Sequence, residues 1–495
     1  MKKILLVSAI IFTWLFTPCK AQQSPFYDFD SLSAGMTSPG GRVLALAVPD
    51  SDTRFSVFAG GHFTIAGKQP AMNIAQWLYD GNGFNFGIPP QGKWVALGSG
   101  INNDVCALAL FDSNLYAGGK FDTASGIAAS HIARWDTATQ KWDSLVGQLN
   151  GTVYALCVYH NALYVGGNFT IANGDTVNRI AAWNGSAWSP VGKGFDTGAV
   201  YALTVSNDTL YAGGSFIKSG QAKVNHIAKL SGSLWKALGV GTNNTVYALT
   251  DYDDELWAGG AFTTSGGIST PYISYYDDYF SFKWSPWGIE AAVNDTVRAL
   301  CSGFYPAVTI KKSHPGHYQG DMLLIGGNFD TANGLPAKYF VTDMFSDTTS
   351  KLSGPVFALA SQWVAENYAG GEFKSVRNYS DAGRFTEPLN NITVLTFHDM
   401  GGGVESLSNQ ANIIVYPNPS SGVFTVSFSH PELVSGTQTI EIYNVLGAKV
   451  YSAMLNQVQH DYELNLSAQP SGIYLCRIIG TTGNLIGQGK IVIEK

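Results

Sequence analysis

The sequence predicts an all-β protein: a seven-bladed β-propeller followed by a small immunoglobulin-like β-sandwich. Three observations predict this fold. A motif recurs seven times at a mean spacing of roughly 52 residues, a period typical of propeller blades. The composition is rich in glycine (56) and in aromatic residues (13%). The pattern then changes after residue 411 to short strands that alternate polar and apolar residues.

Each repeat contains a glycine pair, one variable residue and a phenylalanine. VxAL precedes every pair, and segments related to IAxW and WxxLG follow most of them. Four short apolar segments separated by turn residues predict a four-stranded antiparallel sheet. Such a sheet buries both faces only by stacking between neighbours, as propeller blades do. The second glycines of the pairs are Gly61, Gly119, Gly167, Gly214, Gly260, Gly327 and Gly371.

Two features of the repeat bear on its assembly. The glycine pair leaves bare backbone, which lets the next blade approach closely or lets the chain turn with positive φ. The seventh copy has no WxxLG segment after its third strand, predicted at Ile392–Phe397. The segment FDSLSAG at Phe29–Gly35 resembles the missing one. We therefore expect the N-terminus to complete the last blade and to leave the ring without an open edge.

The segments LYVGGNF and ARWDTATQKWDSL resemble the repeats of the kelch superfamily, whose propellers are of the galactose-oxidase type. The resemblance extends from residue 29 to about residue 400. It implies an architecture but no particular activity, because propellers include both enzymes and binding proteins.

The N-terminus has the pattern of a cleavable signal peptide over residues 1–21. Lys2 and Lys3 precede the apolar run Ile4–Phe16, which is shorter than the 18 or more residues of a membrane span. Lipidation at Cys19 is an alternative that Pro18 disfavours. No later segment predicts a transmembrane helix. The remaining cysteines have neither disulfide-scaffold nor zinc-ligand spacing: Cys106, Cys157, Cys301 and Cys476.

Residues 401–411 read as a linker, and residues 412–495 contain seven short predicted strands. YPNPSSG, IEIYNVLGAKV, LNLSAQPSGIYLCRI and GKIVIEK resemble, in order, the type A sorting domain of the type IX secretion system of Bacteroidetes. The motif residues are Pro417, Asn418, Pro419, Gly422, Gly447, Gly472, Ile473, Tyr474 and Lys495.

This resemblance implies an export route. The protein would pass through the periplasm, cross the outer membrane with the type IX secretion machinery, and meet a sortase-like protease that cuts near the linker. It would then be secreted or attached to the outer-membrane surface. The alternative is an adhesive module that stays attached.

No sequence motif indicates catalysis, a metal site or a cofactor, so no catalytic residue, metal or cofactor is predicted. The net charge is −7, and the sequence contains no cluster of basic residues, which argues against nucleic-acid binding. In a propeller, the variable residue of the glycine motif and the residue before the third strand share one face, where ligands usually bind. The alternative is that these are ordinary solvated turn residues. These candidates are His62, Lys120, Asn168, Glu372, His131, Arg179, His226, Tyr272 and Tyr339.

The sequence favours a secreted or cell-surface protein whose non-catalytic propeller binds a glycan or a protein partner. Tyr272 and Tyr339 would suit a sugar ligand, whereas Glu372 alone is too little for a glycosidase, which needs two carboxyl groups. The alternatives are a propeller enzyme that acts on extracellular polysaccharide and a structural or adhesive component of the cell surface.

Overall fold

The chain forms two compact units, Met1–Met400 and Gly401–Lys495. The computed structural model describes residues 26–32, 34–49, 56–79, 92–277, 282–286, 293–304, 321–332, 334–342, 351–362, 366–380, 383–398, 412–416, 420–429, 438–444, 449–455, 461–479 and 485–494. Within these ranges the regular elements are β-strands, and no helix there could cross a membrane. The predicted signal peptide and the linker lie outside them.

The first unit contains seven principal sheets in its described residues, each begun by a strand that carries VxAL. We call these the inner strands: Arg42–Ala47, Val105–Phe111, Val153–Tyr159, Val200–Ser206, Val246–Tyr252, Val297–Phe304 and Val356–Gln362. The second strands end in the glycine pair or, in the first sheet, one residue beyond it: Ser56–His62, Asn114–Gly119, Ala162–Gly167, Thr209–Gly214, Glu255–Gly260, Asp321–Gly327 and Glu366–Gly371.

The sheets are antiparallel and follow chain order from the inner strand outwards. The third strands are Ile74–Tyr79, Ile132–Asp136, Ile180–Trp183, Ile227–Ser231, Ile273–Asp277, Phe340–Thr342 and Ile392–His398. The outer strands of the first five sheets are Gly92–Ala96, Lys141–Ser144, Trp188–Pro190, Leu234–Ala237 and Lys283–Pro286. The described part of the sixth sheet has three strands.

The outer strand of the seventh sheet comes from the other end of the unit. Phe26–Ser31 pairs antiparallel with Ile392–His398, with Phe29 opposite Leu395. This strand begins and ends earlier than the predicted segment, and the chain turns after it. The backbone N–H of Gly35 donates to the carbonyl of Leu32 at 3.2 Å in that turn.

The sheets follow one another in a closed circle. Each inner strand contacts the next one along the chain, and the strand Val356–Gln362 contacts Arg42–Ala47. The first glycine of every pair permits this approach, because a Cβ atom there would lie closer than 3.0 Å to a valine of the next inner strand. Gly60 faces Val105 in this way, and Gly370 faces Val43.

Indole groups link neighbouring sheets at the periphery. Trp142 Nε1 donates to the carbonyl oxygen of Leu97, in the preceding repeat, at 2.9 Å. Trp94 makes the same bond to Leu32, at 3.0 Å, so the N-terminal turn occupies the place of a preceding repeat. The other bonds of this kind run from Trp188 to Gly147, from Trp235 to Val191 and from Trp284 to Leu238.

Short two-residue strands connect the second and third strands of most sheets, such as Thr123–Ala124 with Ile127–Ala128. The others are Met36–Thr37 with Ile65–Ala66 and Gln69–Pro70; Ile171–Ala172 with Asp175–Thr176; Lys218–Ser219 with Ala222–Lys223; Thr264–Ser265 with Ile268–Ser269; and Thr331–Ala332 with Leu335–Pro336. In the seventh repeat, Lys351–Leu352 pairs with Ser375–Ser380, which pairs with Gly383–Pro388.

The second unit has two sheets around one apolar core. The first contains Asn412–Tyr416, Val423–Ser429 and Asp461–Asn465, and the second Lys449–Leu455, Gln438–Asn444, Gly472–Ile479 and Leu485–Ile493. Phe424, Val426 and Leu464 of one sheet belong to the same buried cluster as Ile440 and Ile491 of the other. The alternating pattern of the sequence thus buries one face of each sheet.

Candidate functional site

A β-bulge interrupts the inner strand of all seven sheets at the same motif position. In the second sheet Gly119 pairs with Val105 and Gly118 pairs with Ala107, so Cys106 between them has no partner residue. The same register shift occurs at the other six VxAL motifs. Bulges re-aim a side chain out of the regular alternation of a strand.

The seven bulge residues line one cavity of about 370 Å³ where the inner strands meet. All seven are half-buried: Leu44, Cys106, Tyr154, Tyr201, Tyr247, Arg298 and Phe357. Arg42, Asp104 and Lys120 complete the lining. The volume lies within the range of small-ligand pockets.

One carboxylate and three basic side chains meet at the edge of this cavity. Asp104 is almost fully buried, with 6% of its side chain exposed. It accepts hydrogen bonds from Lys120 Nζ at 3.1 Å, His62 Nδ1 at 2.8 Å and an Arg42 guanidinium nitrogen at 3.3 Å. The basic side chains are 37–49% exposed, so they offer polar hydrogens to solvent or to a ligand.

Burial of Asp104 opposes its ionisation. The hydrogen bonds from Lys120 and His62, together with the charges of Lys120 and Arg42, outweigh this effect and lower the pKa of the carboxyl group. In turn, the hydrogen bond to Asp104 raises the pKa of Lys120. At neutral pH the two therefore form an ion pair, and Asp104 is not a proton donor.

On the other side of the cavity, three tyrosines and an arginine occupy consecutive bulges. The ring centroids of Tyr154 and Tyr201 are 5.1 Å apart, and those of Tyr201 and Tyr247 are 5.4 Å apart. The guanidinium carbon of Arg298 lies 4.3 Å from the Tyr247 centroid, a cation–π distance. We call Tyr154, Tyr201, Tyr247 and Arg298 the tyrosine–arginine row. Burial raises the pKa of Tyr201, which keeps its phenol protonated.

Cys106 is the only cysteine in the cavity lining. Burial raises its pKa to about 11, an effect to which nearby Asp104 adds and which Lys120 and Arg42 oppose. Because the thiolate is the reactive form, the thiol is a poor nucleophile at neutral pH.

The structure separates the predicted ligand-face residues into two sets. Among the variable residues of the glycine motif, Lys120 lines the cavity and His62 bonds Asp104 at its edge. Asn168 and Glu372 are exposed at the equivalent positions of other sheets.

The residues before the third strands serve the fold. His131, Arg179, His226, Tyr272 and Tyr339 all have φ between 67° and 74°. In each case the backbone carbonyl accepts from the second glycine of the pair, and the backbone N–H donates to the carbonyl of the motif phenylalanine. A role in ligand binding stays a prediction for these five.

Their side chains also make contacts within the protein. Arg179 donates to the carbonyl oxygens of Phe195 and Gly198 at 2.6 and 2.8 Å. Tyr272 and Tyr339 pack against apolar clusters. Burial lowers the pKa of both His131 and His226.

In the second unit, two of the motif residues make specific contacts. Gly422 has a φ of 108°, and a Cβ atom there would lie 2.7 Å from Ser467 Cα, so the position requires glycine. The Tyr474 hydroxyl donates to the Pro470 carbonyl at 2.8 Å.

Gly472 and Ile473 begin the strand that pairs with Leu485–Ile493. The remaining motif residues lie outside the described part of the chain: Pro417, Asn418, Pro419, Gly447 and Lys495.

Sequence analysis did not select most of the residues that line the cavity. The available signal was the variable position of VxAL, which is framed by constant residues in all seven repeats. Arg42 and Asp104 immediately precede that motif. No group of three or more histidine, cysteine, aspartate or glutamate side chains with metal-site geometry occurs in the described ranges.

Comparison with known proteins identifies two regions. A secretion-system C-terminal sorting domain is found at residues 414–494. This match supports export by type IX secretion and points to secretion or the cell surface. Residues 91–251 match the family described as the Rax2 C-terminal beta propeller domain, so a propeller-type domain is present in the first unit.

The chain is also similar to a solved structure described as the extracellular domain of the putative one component system BT4673 from B. thetaiotaomicron. The two are 10% identical, with a TM-score of 0.39. The match covers 95% of this chain but 60% of that structure. No curated relative matches the sequence.

The Asp104 cluster leads to a prediction about stability. We expect Asp104→Asn to lower the free energy of unfolding at pH 7 by about 1.5–3 kcal/mol, the range for hydrogen bonds to charged groups. Since folding lowers the pKa of this carboxyl group, its contribution is complete above the ordinary aspartate value near 3.9 and disappears as pH falls through the lower folded value.

Urea unfolding between pH 2 and pH 7 measures this contribution. The curves of stability against pH for wild type and Asp104→Asn should converge in acid. The matched control is Asp208→Asn, which removes an exposed carboxylate paired with exposed His160 and should change stability by less than about 0.5 kcal/mol. An equal gap between wild type and Asp104→Asn at every pH would contradict the ion-pair explanation.

Proposed function

We propose that this chain is a secreted or outer-membrane surface protein, exported by type IX secretion, whose seven-bladed propeller binds a glycan or a protein partner in its central cavity without catalysing a reaction. The proposed organisation is a signal peptide at 1–21, a propeller at 22–400 closed by its N-terminal strand, a linker at 401–411 and an immunoglobulin-like sorting domain at 412–495. The type IX machinery and its sortase-like protease are the partners proposed for export.

Several features support seven kelch-like blades. Seven glycine pairs and seven VxAL motifs occur in matching order, and each first glycine of a pair faces the valine of the following inner strand. The contact of Gly370 with Val43 brings the last repeat against the first. The seven strands of the second unit, in two sheets around one core, support the immunoglobulin-like sandwich.

The observation that carries the binding proposal is the row of seven bulges. Each bulge supplies one side chain to the same cavity, while the residues around it in the motif keep the sheets packed. A constant framework that presents varied, half-buried side chains in a concave space is how rigid scaffolds form binding sites.

The chemistry of the cavity favours binding over catalysis. Asp104 is the only carboxylate that the described residues contribute to its lining, and three basic side chains hold it ionised. Glycosidases typically use two carboxyl groups, one of which must donate a proton. The buried thiol of Cys106, with a pKa of about 11, is not poised for nucleophilic attack.

A thermal-shift screen of the chain from residue 22 onward tests this function. The panel contains plant and microbial glycans, peptides and divalent metal ions. A ligand that binds the folded state raises Tm according to its concentration and affinity. We expect Tyr201→Ala to reduce the shift at least tenfold in apparent affinity, because this side chain is central in the tyrosine–arginine row.

Arg134→Gln is a matched surface control, since Arg134 pairs with Asp143 on the third and outer strands rather than in the cavity. It should bind like wild type. If every ligand that raises Tm also binds Tyr201→Ala normally, the cavity is not the binding site.

A further inference from the structure

The cavity carries an uncompensated positive charge although the protein is acidic overall. Arg42, Lys120 and Arg298 are basic side chains that line it, whereas Asp104 is the one carboxylate among the described lining residues. The whole chain has a net charge of −7. A concave site with an excess of cations favours an anionic ligand.

Arg298 is the cation best placed to meet such a ligand. Arg42 and Lys120 are already engaged with Asp104, whereas Arg298, which also lines the cavity, stacks on the Tyr247 ring and makes no ion pair with a carboxylate of the described residues. A guanidinium group suits a carboxylate, which it can bind through two parallel hydrogen bonds.

The three tyrosines of the tyrosine–arginine row indicate which chemical group the anionic ligand carries besides its charge. Tyr154 and Tyr201 continue from Tyr247, and all three phenols lie beside the cavity. Tyrosine combines an apolar ring face with a hydroxyl that donates and accepts hydrogen bonds. A sugar ring matches this pair of properties, because it has C–H faces and peripheral hydroxyl groups. A phosphate or sulfate ion has no apolar face, so three aromatic rings would add little to its binding.

We propose that the central cavity binds a uronic-acid residue of an acidic polysaccharide, with its carboxylate on Arg298 and its sugar ring along Tyr247, Tyr201 and Tyr154. This inference rests on the proposed function and names the ligand class for the same site. The carboxylate would balance the positive charge of Arg298 in the cavity lining, and the sugar ring would contact the adjacent tyrosines.

Isothermal titration calorimetry with the chain from residue 22 onward tests the ligand class. The probes are tetramers of galacturonate and glucuronate, neutral galactose and glucose tetramers, a sulfated galactan tetramer, a glutamate tetrapeptide and inorganic phosphate, all in EDTA. We expect at least one uronate tetramer to bind at least tenfold more tightly than its neutral counterpart, and 0.5 M NaCl to weaken it several-fold.

Variants locate the ligand. We expect Arg298→Gln to weaken uronate binding at least tenfold and Arg298→Lys to weaken it several-fold, because lysine keeps the charge but not the bidentate geometry. Tyr201→Phe should weaken uronate binding by a smaller factor, and that factor measures the contribution of the phenol hydroxyl group. Arg134→Gln is the control, and circular dichroism establishes that each variant is folded.

The other outcomes each overturn the inference. Equal binding of neutral and acidic tetramers would refute the preference for an anionic ligand but would leave the proposed function, glycan binding, intact. Equal binding of phosphate or sulfated galactan would reduce the site to a general anion site, and preference for the glutamate peptide would indicate a protein partner. No uronate binding refutes the ligand class. If the broader thermal-shift screen also finds no ligand sensitive to Tyr201→Ala, the proposed function fails with it.

Discussion

Removal of residues 22–36 is expected to lower the melting temperature of the first unit by on the order of 10 °C. The deletion removes the outer strand Phe26–Ser31, which pairs residue by residue with Ile392–His398. It also removes Leu32 and Met36, which are fully buried. Burial of each such side chain contributes about 1.5–3 kcal/mol.

The same deletion disconnects the two ends of the ring. Met36 N–H donates to the carbonyl of Asn390 at 2.7 Å, and the side-chain amide of Asn391 donates to the carbonyl of Met36 at 2.8 Å. The carbonyl of Leu32 is the acceptor for the Trp94 indole. Without these groups, the third strand of the seventh sheet becomes an unpaired edge and buried donors lose their partners.

Differential scanning calorimetry of three chains, beginning at residues 22, 26 and 37, makes the comparison. The chain that begins at residue 26 keeps the strand and is the control, so its transition should match that of the longer chain. Identical transitions for the chains that begin at residues 26 and 37 would refute closure by the N-terminal strand.

Gly213→Val is expected to destabilise the first unit by about 3 kcal/mol or more, through overpacking between two sheets. A Cβ atom at Gly213 would lie 2.6 Å from Cγ1 of Val246 and 3.3 Å from Cδ1 of Leu249. Both neighbours belong to the next inner strand, and Val246 is fully buried. The sheets would have to separate, because neither the strand pairing nor the buried valine can move independently.

Urea unfolding with Gly232→Asn as the control tests this effect. Gly232 lies in an exposed turn with φ of 61°, and no neighbouring atom lies within 4 Å of a Cβ built there. Asparagine tolerates this backbone conformation, so the control should change stability by less than about 1 kcal/mol. A stability loss for Gly213→Val no larger than that of the control would mean that the glycine pair does not set the distance between sheets.

Structural features that depend on short stretches of sequence, such as the positions of strands, were largely predictable. The strand positions followed from the VxAL and glycine motifs, because alternation and turn residues act over a few positions. The seventh third strand, predicted at Ile392–Phe397, is observed at Ile392–His398. The N-terminal strand, Phe26–Ser31, overlaps the predicted segment Phe29–Gly35 only in its first three residues, and the chain turns after Ser31.

The candidate site was predicted only in part. Lys120 and His62 were selected from their motif position, but their common partner Asp104 belongs to no motif and lies 42 residues from His62. Tyr272 and Tyr339 have positive φ and pack against apolar clusters, contacts that the sequence did not predict, and their role in ligand binding stays a prediction. A variable residue beside a repeated motif does not reveal the direction in which its side chain points.

The sorting motif and the seven repeats are properties of the sequence alone, because each is recognised from residues that are neighbours in the chain. The close approach that requires glycine is decided by the tertiary structure, because the first glycine of each pair faces a valine of another repeat. The contents of the cavity depend on the folded ring. Which residue of VxAL becomes a bulge follows from its pairing with the glycine strand, and seven bulge residues far apart in the chain meet only when the circle closes. The tyrosine–arginine row therefore exists in the tertiary structure, where three neighbouring sheets bring Tyr201, Tyr247 and Arg298 into contact.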